Sequence, residues 1–400
     1  PGERVGIWSQ NNLEWTLTQF ATAKAGLVLV NINPAYRRSE LEYALNKVGC
    51  RALILSPAFK SSDYLAMLAD LAPELGHCEP GLLRAHRLPK LEIVIRLGAD
   101  RSPGMANFDD LLRPPSRDEA DVLEELGDRL QFDDPINIQF TSGTTGNPKG
   151  ATLSHHNILN NGFFVGEAIR LKEGDRVCIP VPLYHCFGMV MGNLGCLTHG
   201  ATMVYPAEAF EPLAVLRTIA EEKCAAAYGV PTMFIAMLDH PEFADFDLSS
   251  LRTGIMAGSP CPIQVMQRVI DKMNMREVTI AYGMTETSPL ATVARAAHGV
   301  GETRACEMRE SQGRPMCGVE IRLHDDHKKT VPRDGRSAGE IQARGPWITG
   351  AYYSPDGPVS DPAKFHDGWL RTGDVASISP DGFMTIVDRT KDLIKTGGEW

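Results

Sequence analysis

Short apolar runs alternate with longer segments of helical spacing along the first part of the chain. Buried strands and amphipathic helices have these two patterns. Their alternation is typical of parallel sheets whose strands are connected through helices. The predicted elements are, in order, a strand at 5–8, a helix at 13–25, a strand at 27–32, a helix at 40–48 and a strand at 52–55.

The alternation resumes after a proline-rich, charged stretch at 113–121 and gives way to short strands and turns from about residue 319. We therefore expect an α/β fold with two layered halves on parallel sheets, followed by a small β-rich unit. The later predicted strands are at 136–140, 177–181, 202–205, 225–228, 254–257, 278–281, 319–323, 340–343 and 383–387. The expected boundaries are 1–130 and 131–300 for the halves, 301–388 for the β-rich unit and 389–400 for a hinge.

Composition excludes several classes of protein. A chain of 400 residues with 43% hydrophobic and 22% charged residues is typical of a folded globular protein. The net charge of -10, without a basic stripe, argues against a nucleic-acid partner. The longest apolar stretches, such as 25–32, are shorter than the roughly 20 residues that cross a bilayer.

The cysteines and the first residue bear on the compartment. Nine cysteines, odd in number and without a C-x-x-C pair, favour neither a zinc site nor a disulfide framework. A reducing compartment fits this usage, so we expect the cytoplasm, or the mitochondrial matrix if a targeting segment was removed. The chain begins with Pro1 rather than Met, and we interpret it as a piece of a longer protein.

The strongest chemical signal is the ten-residue run TSGTTGNPKG at 141–150, between a predicted strand and an expected helix. Glycines let backbone N–H groups approach an anion, hydroxyls add donors, and lysine adds a positive charge. The run therefore predicts a phosphate-binding loop. Pro148 breaks the Walker A spacing, which disfavours an ordinary P-loop NTPase. The candidate phosphate contacts are Thr141, Ser142, Gly143, Thr144, Thr145, Gly146 and Lys149.

This loop resembles the signature of the adenylate-forming superfamily, which includes acyl-CoA synthetases, luciferases and the adenylation domains of peptide synthetases. Further motifs follow in the order of that superfamily, and Asn33-Pro34-Ala35-Tyr36 fits upstream. The runs at 134–140, 182–186 and 257–260 are similar to the medium-chain acyl-CoA ligase type. The resemblance implies the large N-terminal domain of an adenylate-forming enzyme, with a distorted barrel as the β-rich unit.

A second motif, AYGMTE at 281–286, follows a predicted strand at the end where α/β folds place ligand contacts. Tyr282 offers a flat face to a purine, Thr285 a hydroxyl to a phosphate, and Glu286 a carboxylate to Mg²⁺ among phosphate oxygens. The resemblance implies the same roles and adds Gly283 to the nucleotide contacts. In isolation, a core tyrosine and a helix cap explain these residue types as well.

The resemblance implies further nucleotide contacts at positions that residue types alone leave open. It places the backbone of 258–260, which is Gly258, Ser259 and Pro260, beside adenine, although a turn before a helix explains these residues equally. It assigns Asp374 to both ribose hydroxyls, a bidentate role suited to an ionised carboxylate. It assigns Arg389 to the ribose as well, with Asp388 where the family generally has glycine.

The implied reaction joins ATP to a carboxylic acid and then to coenzyme A. A carboxylate oxygen attacks the α-phosphorus, pyrophosphate leaves, and the thiol of coenzyme A then displaces AMP. The catalytic candidates are Lys149, Thr285 and Glu286, with Glu286 as the Mg²⁺ ligand, together with His185 near the reacting carboxylate. Because the acid is already ionised, with a pKa of about 4.5, no protein group needs to remove a proton from it.

Apolar and methionine residues after Phe187 favour an unsubstituted acyl chain. The run GMVMG at 188–192 has no aspartate of the kind with which amino-acid-activating relatives hold an ammonium group. A medium- to long-chain fatty acid is therefore the first expectation and an aryl acid the second. The alternatives are an acyl-AMP ligase that loads a carrier protein, and a nucleotide-binding domain with little turnover. A homodimer is compatible with the sequence.

Members of the superfamily carry a smaller C-terminal domain, with a second catalytic lysine, beyond a hinge. We place the hinge at Lys391, a few residues before Trp400. The expectation is therefore that this chain lacks that domain, binds ATP or acyl-AMP, and turns over slowly.

Overall fold

The computed structural model describes residues 1–141, 148–294, 311–354, 357 and 359–389, and only the backbone of 388 and 389. Two compact units make up the described chain. The first contains Pro1–Asn157, Pro182–Met189 and Ala351–Val359, and the second contains the remainder. The expected hinge at Lys391 lies outside the described residues.

The first unit is built on a seven-stranded sheet in the order β7-β6-β3-β1-β2-β8-β9, parallel except for β9. A two-stranded hairpin of β4 and β5 stands apart from it. Its helices are α1 (Leu13–Lys24), α2 (Arg38–Val48), α3 (Tyr64–Leu71), α4 (Arg117–Arg129) and the start of α5 (His155–Ala168). The strands are β1 (Arg4–Trp8), β2 (Val28–Asn31), β3 (Ala52–Leu55), β4 (Ala58–Phe59), β5 (Ser62–Asp63), β6 (Ile93–Arg96), β7 (Ala106–Asn107), β8 (Pro135–Thr141) and β9 (Lys149–Ser154).

Local sequence explains where the first helices begin and end. The Asn12 side chain accepts a hydrogen bond of 2.8 Å from the backbone N–H of Trp15 and caps α1. Gly49 ends α2 in the left-handed conformation, φ +59°, which glycine adopts without strain. The core formed between these helices and the sheet includes Trp8 and Tyr64, whose ring centroids stack 3.7 Å apart.

The second unit holds another seven-stranded sheet, in the order β11-β10-β12-β13-β14-β15-β16, parallel as far as β14 and antiparallel beyond it. Helix α9 presents Val265, Met266, Val269 and Met273 to its core at helical spacing. The helices are the rest of α5, α6 (Gly195–His199), α7 (Pro212–Glu222), α8 (Pro231–Leu238) and α9 (Ile263–Met273). The strands are β10 (Arg176–Cys178), β11 (Thr202–Val204), β12 (Ala226–Gly229), β13 (Thr253–Ala257), β14 (Glu277–Gly283), β15 (Leu290–Ala294) and β16 (Arg314–Pro315).

The second unit also contains the expected β-rich part, an antiparallel sheet of five strands. On this sheet the guanidinium groups of Arg322 and Arg344 lie 4.1 and 4.6 Å from the centre of the Trp369 ring. The ordered pairs are β17-β18, β18-β20, β20-β19 and β20-β21. The strands are β17 (Glu320–His324), β18 (Ala338–Arg344), β19 (Phe365–His366), β20 (Trp369–Ile378) and β21 (Met384–Arg389).

Two details of the strand arrangement differ from the expectations drawn from the sequence. The expected boundary at residue 131 does not coincide with a change of sheet, because β8 pairs with β2 of the first sheet. The loop after Thr141 is followed by the strand β9 and not directly by a helix. This strand, at 149–154, pairs antiparallel with β8. Strand pairing is a long-range property that apolar runs alone do not specify.

Among the described residues, no helix combines the length and the apolar character that crossing a membrane requires. The eight cysteines of the described part are free.

The interior strand β3 should contribute strongly to the stability of the first unit. Leu53 has 0% exposure, whereas Leu82 is 69% exposed. We expect Leu53→Ala to lower the free energy of unfolding by about 2–5 kcal/mol, because it leaves a cavity in a packed core. Leu82→Ala is the matched control and should change it by less than about 0.5 kcal/mol. Urea midpoints of the two variants measure the difference, and equal midpoints would contradict the placement of Leu53 in the core.

Candidate active site

Thr141 and Lys149 form the base of the predicted phosphate loop in the first unit. They are register partners at the ends of β8 and β9, and the Thr141 hydroxyl donates to the Lys149 carbonyl at 3.4 Å. The Tyr43 hydroxyl donates to the Pro148 carbonyl at 3.1 Å. The base of the loop is thus held by strand pairing and by a side chain from α2. The other predicted loop contacts, Ser142, Gly143, Thr144, Thr145 and Gly146, lie outside the described residues.

The Lys149 side chain is exposed and its ammonium lies 5.2 Å from the centre of the Tyr352 ring. Tyr352 is buried and forms a β-bridge with Ala151 of β9. A cation above an aromatic face at an exposed site is stabilised by about 0.5–1 kcal/mol. This contact orients the flexible side chain of Lys149, which is predicted to bind phosphate.

His185 belongs to the first unit and lies in the segment 182–189, outside the named strands. Its Nδ1 accepts a hydrogen bond of 3.1 Å from the backbone N–H of Phe187. Although the side chain reaches solvent, desolvation by the surrounding protein lowers the pKa of His185 below its ordinary 6.5. Both this desolvation and the accepting Nδ1 favour a neutral imidazole with its proton on Nε2.

Buried amides that the sequence interpretation missed hold the segment that carries His185. The Asn31 side chain donates to the Tyr184 carbonyl at 2.8 Å, and Asn137 donates to the Asn31 side chain at 2.9 Å. Gln139 donates in turn to Asn137, also at 2.9 Å. Two polar residues at alternating positions of the buried strand β8 were the available signal, because buried amides occur where they have partners.

In the second unit, two residues predicted to bind the nucleotide are in direct contact. The Tyr282 hydroxyl donates to Oδ2 of Asp374 at 2.7 Å, across 92 positions of sequence. Asp374 is 8% exposed and lies within β20. Its backbone N–H donates to the Thr372 hydroxyl at 3.1 Å. The carboxylate is therefore held beside the aromatic ring by contacts on both its side chain and its backbone.

Strand register brings two more predicted segments to this part of the second unit. Arg389, at the end of β21, is the register partner of Asp374, and its side chain lies outside the described part. Ala257 pairs with Ala281 in parallel strands, so the turn at 258–260 leaves the sheet at the same edge as Tyr282. That turn is exposed, and Gly258 has φ +89°, which favours glycine.

Thr285 and Glu286 lie in a single 3₁₀ turn directly after β14. Glu286 is 4% exposed, and its backbone carbonyl accepts a hydrogen bond of 2.9 Å from the backbone N–H of Thr349. A Cβ at Gly283 would come within 1.9 Å of the Pro289 carbonyl oxygen, so only glycine fits where the chain turns back. The predicted motif thus folds as a tight, closely packed turn.

The described contacts join some predicted site residues and leave others apart. They connect Thr141 with Lys149 in the first unit, and Tyr282 with Asp374 in the second. Within the described part of the chain, His185 makes no hydrogen bond to another predicted site residue. Its partners are its own neighbours in sequence.

Comparison with known proteins tests the resemblance. The model of the family described as AMP-binding enzyme matches residues 1–353. YngI of Bacillus subtilis is 43% identical over 400 residues, which are 100% of this chain and 71% of YngI. The mitochondrial medium-chain acyl-CoA ligase ACSF2 is 42% identical in Danio rerio and 41% in Homo sapiens, over 100% of this chain and 65% and 64% of those proteins. The chain thus spans about two thirds of the length of these relatives.

Solved structures agree with the sequence comparisons. The anthranilate CoA ligase AuaEII, solved with anthranoyl-AMP, superposes with a TM-score of 0.80 at 26% identity, over 100% of this chain and 70% of that one. The Mycobacterium tuberculosis fatty acyl CoA synthetase has a TM-score of 0.77 at 24% identity, over 100% and 70%, and supports the fold. The predicted fold class and the resemblance to adenylate-forming enzymes are confirmed, and the chain belongs to the AMP-binding enzyme family.

Proposed function

We propose that this chain carries the substrate-activating part of an ATP-dependent acyl-CoA synthetase of the acid-thiol ligase class. It would activate a medium- to long-chain fatty acid as the acyl-adenylate and pass the acyl group to coenzyme A. The observation that carries the proposal is the 2.7 Å hydrogen bond between Tyr282 and Asp374. It brings an aromatic face and an acceptor for hydroxyl groups together, as recognition of a nucleoside requires.

The proposal assigns protein groups to the purine, the ribose and the phosphates of the nucleotide. The Tyr282 ring stacks on the purine, and the Gly258–Pro260 backbone borders its edge. In the proposal, the Asp374 carboxylate, which accepts from Tyr282, also accepts from the ribose hydroxyls, and Arg389 contacts the ribose as well. Lys149 and the loop from 141 to 146 contact the phosphates, and the Thr285 hydroxyl donates to a phosphoryl oxygen.

The donor set fits Mg²⁺ bound mainly through substrate phosphates. Among the described residues, no group of three or more histidine, cysteine or acidic side chains forms a metal cage. Mg²⁺ is commonly held by one or two carboxylates, substrate phosphates and water, so Glu286 alone is a sufficient protein ligand. When bound, the ion neutralises phosphate charge. The protein's own part is to hold the Glu286 carboxylate still.

The first step needs positioning rather than proton transfer: the ionised carboxylate attacks the α-phosphorus as the bond to pyrophosphate breaks. In the second step the thiol loses its proton to water, and its sulfur attacks the acyl carbon as the bond to AMP breaks. Lys149, Thr285 and the loop amides offset the repulsion between anions. The neutral His185 adds no negative charge beside the incoming carboxylate and accepts no proton from it.

An apolar helical segment supports the choice of acid. Phe187–Leu194 forms a π-helix, in which Met189, Val190 and Met191 are buried. This segment contains no acidic residue to pair with an ammonium group, and methionine adapts to chains of different length. The free cysteines of the described part support a reducing compartment, the cytoplasm or the mitochondrial matrix.

The reaction class can be tested with a panel of acids. In the full-length protein, we expect octanoate, dodecanoate and palmitate, with ATP, Mg²⁺ and coenzyme A, to give AMP, pyrophosphate and the acyl thioester. Benzoate should react more slowly and phenylalanine should not react. Release of inorganic phosphate instead of pyrophosphate would contradict the proposed reaction, and a preference for a carrier-protein thiol would favour the acyl-AMP ligase alternative.

Two variants test the pair that contacts the nucleoside. Asp374→Asn should raise KM for ATP by roughly 10-fold or more, because hydrogen bonds to a charged group are worth about 1.5–3 kcal/mol each. Tyr282→Phe keeps the ring and should raise KM by about 2- to 10-fold, since it removes one neutral donor. Both effects should vanish with 2′,3′-dideoxy-ATP.

Tyr64→Phe is the control for these variants, because the Tyr64 hydroxyl also donates a short hydrogen bond, 2.6 Å to the Pro34 carbonyl. Its KM for ATP should stay at the wild-type value. Equal effects of Asp374→Asn on ATP and on the dideoxy analogue would contradict the assignment of Asp374 to ribose.

The pH profile tests the role of His185. We expect the rate of pyrophosphate release to be flat from about pH 6.5 to 8, because the acid is ionised and the lowered pKa leaves His185 neutral. The folded chain should also lose stability below pH 6.5, where the unfolded chain binds the proton first. A rate that rises through pH 7, and loses this rise in His185→Gln, would instead indicate a general base.

A further inference from the structure

Asn161 connects helix α5 with the turn that carries Glu286. Its side chain is completely buried, with 0% exposure. Its Nδ2 donates to the carbonyl of Leu290 at 3.0 Å and to that of Thr287 at 3.3 Å. Its Oδ1 accepts from the backbone N–H of Leu290 at 3.4 Å. One side chain thus uses both donors and its acceptor on the backbone of a segment 126 to 129 residues away.

A second set of contacts holds the same turn. Trp347, which is 1% exposed, donates from Nε1 to the Leu290 carbonyl at 3.0 Å. The backbone N–H of Thr349 donates to the Glu286 carbonyl at 2.9 Å. The rings of Trp347 and Phe164 lie 5.2 Å apart, and Phe164 is three residues after Asn161 on α5. The turn is therefore held both by α5 and by the segment that α5 contacts.

Hydrogen bonds within the turn also connect Met284 with Thr287, so a displacement of one of these residues moves the other. The Thr287 hydroxyl accepts from the backbone N–H of Met284 at 2.9 Å. The Thr287 backbone N–H donates to the Met284 carbonyl, also at 2.9 Å. Glu286 immediately precedes the residue that makes both contacts. A shift of Thr287 away from Asn161 would move the Glu286 backbone with it.

We propose that Asn161 is a positioning residue that sets the location of the Glu286 carboxylate for the metal ion bound with ATP. The inference rests on the proposed function of Glu286 and adds a residue that none of the motifs contains. Mg²⁺ demands near-ideal octahedral geometry, so small displacements of its protein ligand weaken binding. Groups that orient a metal ligand from behind typically contribute 10- to 100-fold to metal affinity.

The test compares ATP binding with and without Mg²⁺ by calorimetry, so that it does not depend on turnover. In the wild-type protein, Mg²⁺ should tighten ATP binding. Asn161→Ala should reduce this tightening by roughly 10-fold, with the affinity measured in EDTA changed by less than about 2-fold. Trp347→Phe keeps the ring contact, removes the donor to Leu290, and should act in the same direction with a smaller effect.

Asn107→Ala is the matched control. Asn107 is 3% exposed, and its Nδ2 also donates to two loop carbonyls, those of Gly98 and Asp100, at 2.8 and 3.2 Å. This variant should lower the thermal midpoint as Asn161→Ala does, without changing the effect of Mg²⁺ on ATP binding. If Asn161→Ala and Trp347→Phe both behave like Asn107→Ala, Asn161 has a structural role only and the inference is wrong.

A further variant separates this inference from the function on which it rests. Glu286→Gln should abolish the effect of Mg²⁺ if Glu286 is the ligand. If Glu286→Gln leaves the effect intact, the proposed role of Glu286 fails. If Glu286→Gln abolishes the effect but Asn161→Ala and Trp347→Phe do not alter it, only the positioning role fails.

Discussion

The parallel pairing of β13 with β14 is the constraint on which the candidate site of the second unit depends. Ala257 and Ala281 are register partners, so the segments that follow them leave the sheet at one edge. Carboxyl ends of parallel strands are where α/β folds bind ligands, because the chain there is free of the ladder and can present side chains and backbone groups. Packing of α9 against the sheet keeps that register, since a slipped strand would lose its buried partners.

Buried amides recur wherever an irregular segment has to keep one conformation. Asn161 holds the Glu286 turn in the second unit, and Asn31 holds the segment of His185 in the first. A turn without ladder hydrogen bonds leaves carbonyls that are costly to bury unpaired, by about 1–3 kcal/mol each. An amide side chain satisfies such groups and fixes their positions at the same time. The two candidate regions therefore share one physical solution, although they lie in different units.

The chemistry that fits these regions is electrostatic. The nucleophile is an anion before it binds, and the group that it attacks is a polyanion, so the protein's task is to place positive and hydrogen-bonding groups in advance. The exposed Lys149 and the buried Glu286 turn differ accordingly. In the proposed reaction, a lysine on a flexible stem would follow the phosphates as they move, whereas a metal ligand would have to be held in one place.

The sequence alone determined the family and the chemical character of this protein. Residue types with a direct chemical meaning, such as the glycine and hydroxyl loop ending in Lys149 and the Thr285-Glu286 pair, are contiguous and can be recognised without a structure. Apolar runs also predicted twelve of the strands and the helices α1 and α2 to within a few residues, because burial imposes their period. The loop contacts from Ser142 to Gly146 lie outside the described residues and remain predictions.

Only the tertiary structure decided which distant residues meet. It joined Tyr282 to Asp374 across 92 positions, placed β8 in the first sheet, and revealed Asn161 behind the Glu286 turn. The local sequence around an asparagine in a helix does not show whether the residue lies on the surface or is buried and hydrogen bonded to a distant turn. Its role follows from the carbonyls that another part of the chain places opposite it, and those positions are set by packing and strand register rather than by neighbours in sequence.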